Sequence, residues 1–369
     1  MKIKQFVFIH KESRAVKTNL SKNHFSLTRP PLLNMLSAMF SVVERDKGNY
    51  SKFSKSYRRR FPFRLATTSF IYPDRILPNA MRLAPYLDEM ELILFESKNL
   101  PDREEISDLS ALQNKEGLSY NVHLPLDIFL GHPSDKARAE GIAAVQEAIA
   151  LTKRLTPSTY TLHYNYDETP IRLRRAKDNE NNPPSPPFSK GGDMLDSPLE
   201  NGESQSPPLG KDVAPSIPPL EKGDTGGFPG EKNLSLWQRH IAESTGNILK
   251  TGIKPGLISV ETLNYPLTWV EDIINDLGLS VCLDLGHILL GGGDPRYYLD
   301  KYLEKTAIIH LYGVYQGRDH LGLDVLDEAA LLDWLRLLKG YTGTVSIEVF
   351  SFHHLQTSLE VLEKLWKKA

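Results

Sequence analysis

A single cysteine, Cys282, is present in a chain of 369 residues. One thiol excludes an intrachain disulfide and any cysteine-based zinc knuckle, so a metal in this protein must be held by His, Asp and Glu, and a reducing compartment is expected. Long apolar runs are equally scarce. Leu32 to Val43 is about a dozen residues, short of the roughly 20 that cross a bilayer, and the opening MKIKQFVFIHKES is too brief in apolar character for a signal peptide. These readings predict a cytoplasmic protein with no membrane partner. Charge of one sign is missing too: the net charge of -2 gives no general field for nucleic acid and favours a small-molecule substrate.

What is present is enough for a full core: 40% hydrophobic and 24% charged residues in a chain of this length suit one large domain with additions or two ordinary ones. Residues 1–60 are rich in Lys and Arg, end in Arg58-Arg59-Arg60 and show no sustained period, so a basic, loosely ordered extension is expected there. From Phe63 the texture changes to short apolar runs separated by helical stretches. The runs are Arg64–Ser69, Glu91–Glu96, Ser119–His123, Tyr160–His163, Leu257–Glu261, Ser280–Asp284, Ala307–His310 and Val345–Glu348. Between them, stripes such as Ala139-Ile142-Val145-Ile149 have the three-to-four residue spacing that lays a helix on a sheet. Repeated βα units predict an α/β chain folded as a (β/α)8 TIM barrel over residues 61–369. The alternation breaks once, from about Lys177 to Glu231, where Pro, Gly, Ser, Lys and Asp dominate. Too few large apolar residues remain there to repay ordering the backbone, so a disordered insertion after the fourth strand is expected.

The strand ends carry the chemistry. Glu96, His123, His163, Glu261, Asp284 with His287, His310 and Glu348 each close or follow an apolar run. One such residue is ordinarily a capped or hydrogen-bonded core side chain. In parallel barrels, however, all strand carboxyl ends converge on one face, where active sites lie. Several imidazoles and three or more carboxylates gathered there would carry too much like charge without cations, which implies divalent metal. A further pair, Asp319 and His320, follows the seventh strand on the same face, and His353 and His354 follow the last strand by a few residues, so that one could reach the mouth. The nitrogen and oxygen set suits zinc, with manganese or iron as alternatives. Cys282 reads as a small core residue. Asp294-Pro295-Arg296 after a glycine run reads as a flexible loop or, alternatively, as one that offers Arg296 and helix-start amides to a phosphate.

The ordered set Glu261, Asp284, His310 and Glu348 resembles the metal tetrad of the endonuclease IV and xylose isomerase-like barrels. His123, His163, His287 and His320 resemble the added ligands of the endonuclease IV branch. More narrowly, Ala66-Thr67-Thr68-Ser69-Phe70-Ile71-Tyr72-Pro73-Asp74, Glu91-Leu92-Ile93-Leu94-Phe95-Glu96-Ser97 and Tyr120-Asn121-Val122-His123-Leu124-Pro125-Leu126-Asp127 resemble the cobamide-remodelling phosphodiesterases. One departure stands out: where the endonuclease IV pattern has an Asp two residues before the loop histidine, this chain has Arg318, and the acid sits one later at Asp319.

The resemblance implies two or three divalent ions per chain and hydrolysis of the nucleotide-loop phosphoester of a cobamide, giving cobinamide phosphate and the α-riboside. It gives Glu261 and Glu348 catalytic roles, and makes His123, His163, Glu261, Asp284, His287, His310, Asp319, His320 and Glu348 metal ligands. Glu96, Tyr72 and Arg296 are the expected substrate contacts. The alternatives are a metal-dependent sugar isomerase or epimerase using the tetrad for proton transfer, and an endonuclease IV-like DNA-repair phosphodiesterase. The latter is disfavoured by the absence of basic, aromatic-rich strand-end loops.

Overall fold

The computed structural model describes residues 51–166 and 231–369. Residues 1–50 of the expected extension and nearly all of the expected insertion lie outside that range. Among the described residues, eight parallel strands close into a barrel in the order β1-β10-β7-β6-β5-β4-β3-β2. They are β1 (Arg64–Thr68), β2 (Glu89–Ile93), β3 (Ser119–His123), β4 (Tyr160–Leu162), β5 (Ile258–Glu261), β6 (Ser280–Asp284), β7 (Thr306–Leu311) and β10 (Thr344–Ile347). The remaining two, β8 (Gly313–Tyr315) and β9 (Arg318–Leu321), form an antiparallel hairpin over the end of β7. The expected TIM barrel is the observed fold.

Helices follow the barrel strands: α1 (Ile76–Leu83), α2 (Arg103–Glu116), α3 (Asp135–Thr152), α4 (Glu231–Leu249), α5 (Glu271–Asp276), α6 (Leu285–Leu290), α7 (Pro295–Tyr302), α8 (Glu328–Leu337) and α9 (Phe352–Trp366). Their starts are written locally. Asp102, Ser134, Asp327 and Ser351 each accept a backbone N–H in the first turn of α2, α3, α8 and α9, satisfying donors that a helix start otherwise leaves unpaired. The buried face of α3 is Gly141, Val145, Ala148, Ile149 and Thr152, which puts Ala139 of the expected stripe on the solvent side.

Three boundaries differ from the sequence reading. The last ten residues of the basic stretch belong to the folded body: Phe53 and Tyr57 are buried, and the Arg58 guanidinium donates to the carbonyls of Ala84, Glu116 and Gly117. Those three carbonyls close the ends of α1 and α2, so Arg58 is spent on capping. The second difference is β2, which begins at Glu89 and ends at Ile93, earlier than the apolar run suggests. The third is α6, a short helix directly after β6 and ahead of the glycine run, where no helix was expected.

Glu89 explains how a carboxylate sits inside the narrow amino-terminal end of the barrel. It receives Arg64 Nε at 2.9 Å, Asn121 Nδ2 at 2.9 Å, and the hydroxyls of Ser119, Ser158 and Thr344 at 2.8, 2.9 and 2.8 Å. Full satisfaction offsets its desolvation. The opposite end of the lumen is wired differently.

Candidate metal centre

Ligand-type side chains converge at the carboxyl ends of six strands. His123 and Glu261 are the last residues of β3 and β5, Asp284 is the last of β6, His310 is in β7, and His163 and Glu348 directly follow β4 and β10. Strand pleating aims these positions into the lumen. Register brings Asp284 beside His310 on adjacent strands. His123, Glu261, Asp284, His310, His320 and Glu348 are all buried.

Glu261 is the hub. Its Oε2 lies 3.0 Å from His123 Nε2 and 2.8 Å from His163 Nε2, while Oε1 faces His287 Nδ1 at 3.4 Å and His310 Nδ1 at 3.7 Å. Asp284 divides its oxygens between two jobs. Oδ1 accepts the Tyr312 hydroxyl at 2.9 Å and the His287 N–H at 2.6 Å, so that it also caps α6. Oδ2 faces the cluster, 3.6 Å from His287 Nδ1 and 3.5 Å from His310 Nδ1. Glu348 Oε2 lies 3.2 Å from His310 Nδ1.

Four groups emerge whose ligand atoms lie within 4.8 Å of one another: His123, His163 and Glu261; Glu261, Asp284 and His287; Asp284, His310 and Glu348; and Glu261, Cys282 and His310. Buried atoms test whether a cation belongs here. Asp284 Oδ2, Glu348 Oε2 and His320 Nε2 are buried with no hydrogen-bond partner. Leaving such atoms dry and unpaired is costly. The three sit on residues of one cluster, and a divalent ion is the partner that nitrogen and oxygen donors of this kind accept. The residues fit the metal.

Protonation in the metal-free cluster points the same way. Burial would raise the Glu261 carboxyl, but the surrounding imidazoles, His163 and His310 first, hold it well below the usual carboxylate range. Burial resists charge on His287, yet Asp284 and Glu261 beside it push that imidazole up to about 10.

The other expected ligands divide. His320 enters the site from β9 with a left-handed backbone, φ 51°, and its Nδ1 lies 2.8 Å from the Glu348 carbonyl, leaving Nε2 as the free ligand atom. Asp319 is half-buried, and neither it nor His320 joins any of the four groups. His354 reaches the backbone of the site, with Nδ1 3.2 Å from the His320 carbonyl.

The three expected substrate contacts do not join the cluster. Glu96 is exposed in the loop after β2, bonded to Asn99. The Tyr72 hydroxyl donates to the Ser51 carbonyl at 2.9 Å and its ring stacks on Phe352. Arg296 lies in α7, paired with Asp333 of α8 and 3.5 Å from Asp300, and Asp294 caps α7. Two residues escaped the sequence reading. Glu91 of β2 is fully buried, with Oε1 3.0 Å from His310 Nε2. Cys282 Sγ lies 3.6 Å from the same ring, so this core thiol borders the centre.

No protein-family model matches the sequence, and no curated protein matches it either. Solved structures do match. A D-tagatose 3-epimerase-like protein superposes with a TM-score of 0.56 at 16% identity, covering 83% of this chain and 98% of that one. A 3-keto-D-glucoside 4-epimerase from E. coli gives 0.53 at 14%, covering 83% and 99%. Endonuclease IV from Thermus thermophilus gives 0.52 at 13%, covering 83% and 100%. The chain shares the TIM barrel fold of these proteins. In this barrel the ligand-type residues occupy the carboxyl-terminal face, where enzymes of the TIM-barrel architecture keep their active sites. Among the described residues, no helix is long and apolar enough to cross a membrane.

Proposed function

We propose that the chain is a multi-metal phosphodiesterase, and that its substrate is the nucleotide-loop phosphoester of a cobamide. The observation that carries the first half is the sharing of Glu261 and Asp284 among ligand groups that also recruit His123, His163, His287, His310 and Glu348. Moving a proton beside a carbonyl needs one metal cage and an acid–base pair. The extra imidazoles are surplus to that task. The second half rests on the resemblance of the motifs around Thr67, Glu91 and His123 to the cobamide-remodelling branch.

Bound divalent ions would supply the positive charge that offsets these carboxylates and stabilises the charge developing on a phosphoryl group. His123, His163 and Glu261 would hold one, Asp284, His310 and Glu348 another, and His287 and His320 the flank between α6 and the hairpin. Glu261, gripped by two imidazoles on one oxygen, orients the centre. Glu348, through the carboxylate oxygen that would not hold the ion, accepts the proton of the attacking water as the water oxygen bonds to phosphorus, and that proton returns to the ribose oxygen as the phosphorus–oxygen bond to the ribose breaks. Cobinamide phosphate and the α-riboside are the products.

A sugar epimerase is the second reading, favoured by the fold: two of the three structures described above are an epimerase and an epimerase-like protein. There Glu261 and Glu348 would share the proton transfer. Purified protein loaded with zinc or manganese, incubated with adenosylcobalamin, is expected to release the riboside, read by mass spectrometry. Intact cobamide alongside interconversion of ketose epimers would replace the first reading by the second.

A further inference from the structure

We propose that Glu91 is a positioning residue for the metal centre: its carboxylate fixes the Nε2–H tautomer of His310 and so presents Nδ1 to the ion. The inference rests on the metal centre proposed above and is independent of the substrate. The geometry comes from five strands. His310 Nε2 lies 3.0 Å from Glu91 Oε1, while its Nδ1 faces Glu348 Oε2 at 3.2 Å, Asp284 Oδ2 at 3.5 Å and Glu261 Oε1 at 3.7 Å.

Glu91 is itself held. Ser346 Oγ donates to Oε2 at 2.6 Å, and the Glu91 carbonyl accepts the Ser69 N–H at 2.9 Å. Ser346 and His310 are register neighbours on β10 and β7, so one carboxylate spans both strands. An ionised carboxylate accepts and cannot donate. Opposite it, a neutral His310 must place its proton on Nε2, which leaves the Nδ1 lone pair directed at three carboxylates. That arrangement is repulsive unless a cation lies between them. Carboxylates that accept the distal N–H of a ligating imidazole set its orientation and basicity in this way.

Glu89 provides an internal control. It is equally buried on the same strand, two residues earlier, but its partners are Arg64, Asn121 and hydroxyls at the other end of the lumen. Zinc affinity by chelator competition and the visible spectrum of the cobalt-loaded protein are measured for wild type, Glu91→Gln, Glu91→Ala and Glu89→Gln. Loss of zinc affinity by roughly 10–100-fold is expected for the Glu91 variants, with Ala worse than Gln and the cobalt bands shifted. Glu89→Gln is expected to lower thermal stability and leave those bands in place. Unchanged zinc affinity and cobalt spectrum in both Glu91 variants would overturn the proposal. Should neither fold, nitrogen NMR of zinc-loaded wild type decides it: a proton on Nε2 of His310 supports the assignment, and a proton on Nδ1 ends it. None of these readouts involves a cobamide, so failure of the substrate assignment remains distinguishable.

Discussion

Glu261 and His163 stand 98 positions apart in the chain and 2.8 Å apart in the fold. The stretch between them includes the low-complexity segment, yet the two residues meet because β4 and β5 are adjacent parallel strands of the barrel. His123 reaches the same Glu261 oxygen from β3. One carboxylate thus ties three consecutive strands at their carboxyl ends.

Neutralising that hub is expected to disable the centre. Glu261→Gln keeps the shape but removes the charge shared by the ligand groups, so activity should fall at least about 100-fold, the scale of losing one contact that stabilises the transition state. Metal content per chain should fall as well. Elemental analysis of purified wild type and variant, with the cobamide assay beside it, checks both. Full metal content and full activity in the variant would remove Glu261 from the centre.

Much of this arrangement was legible in the sequence, because an ionisable residue ending an apolar run marks a sharp boundary. His123, Glu261, Asp284 and His310 were found that way. Glu91 was not. It follows Asp88, Glu89 and Met90 in a run that looks polar, and its burial is offset by His310 and Ser346, which are 219 and 255 residues away. No local window contains such partners. Side-chain direction was equally hidden: Tyr72 lies in a suggestive motif, but its hydroxyl is drawn to the Ser51 carbonyl.

Metal loading should release protons, and affinity should rise with pH. In the metal-free protein His287 is pushed up to about 10 from an ordinary 6.5, so it is charged at neutral pH. A coordinating imidazole must be neutral, and the ion competes with the proton until pH passes the raised value. The same Asp284–His287 attraction stabilises the metal-free fold fully below the ordinary imidazole value, and that contribution is lost as pH rises through about 10. Calorimetry of zinc binding in buffers of different ionisation enthalpy measures the release directly. An enthalpy independent of the buffer would contradict it.

Asp319 and His320 should behave differently although they are neighbours. Asp319 is half-buried, whereas His320 is buried, with Nδ1 2.8 Å from the Glu348 carbonyl and Nε2 without a hydrogen-bond partner. Asp319→Asn should therefore retain the wild-type metal content, and His320→Ala should weaken it. Equilibrium dialysis against zinc separates the two. Loss of an ion in Asp319→Asn would mean that the β8–β9 hairpin turns its acid inward on binding.

A glycine supplies the last test, because it governs Asp284 without touching a metal. Gly286 in α6 lies under Tyr312, and a Cβ built there would meet the ring at 2.0 Å and the hydroxyl at 2.6 Å. That hydroxyl is the donor that occupies Asp284 Oδ1 and leaves Oδ2 for the cluster. Gly286→Ala must displace the ring. Overpacking of this kind costs about 1–3 kcal/mol, and loss of the tyrosine contact frees the carboxylate to rotate. A lower melting temperature together with weaker zinc binding is expected. Tyr312→Phe removes only the hydrogen bond, so it should weaken zinc with a smaller loss of stability. If Tyr312→Phe binds zinc as wild type does, then the α6 cap from Asp284 to His287, at 2.6 Å, is sufficient to hold that carboxylate in place.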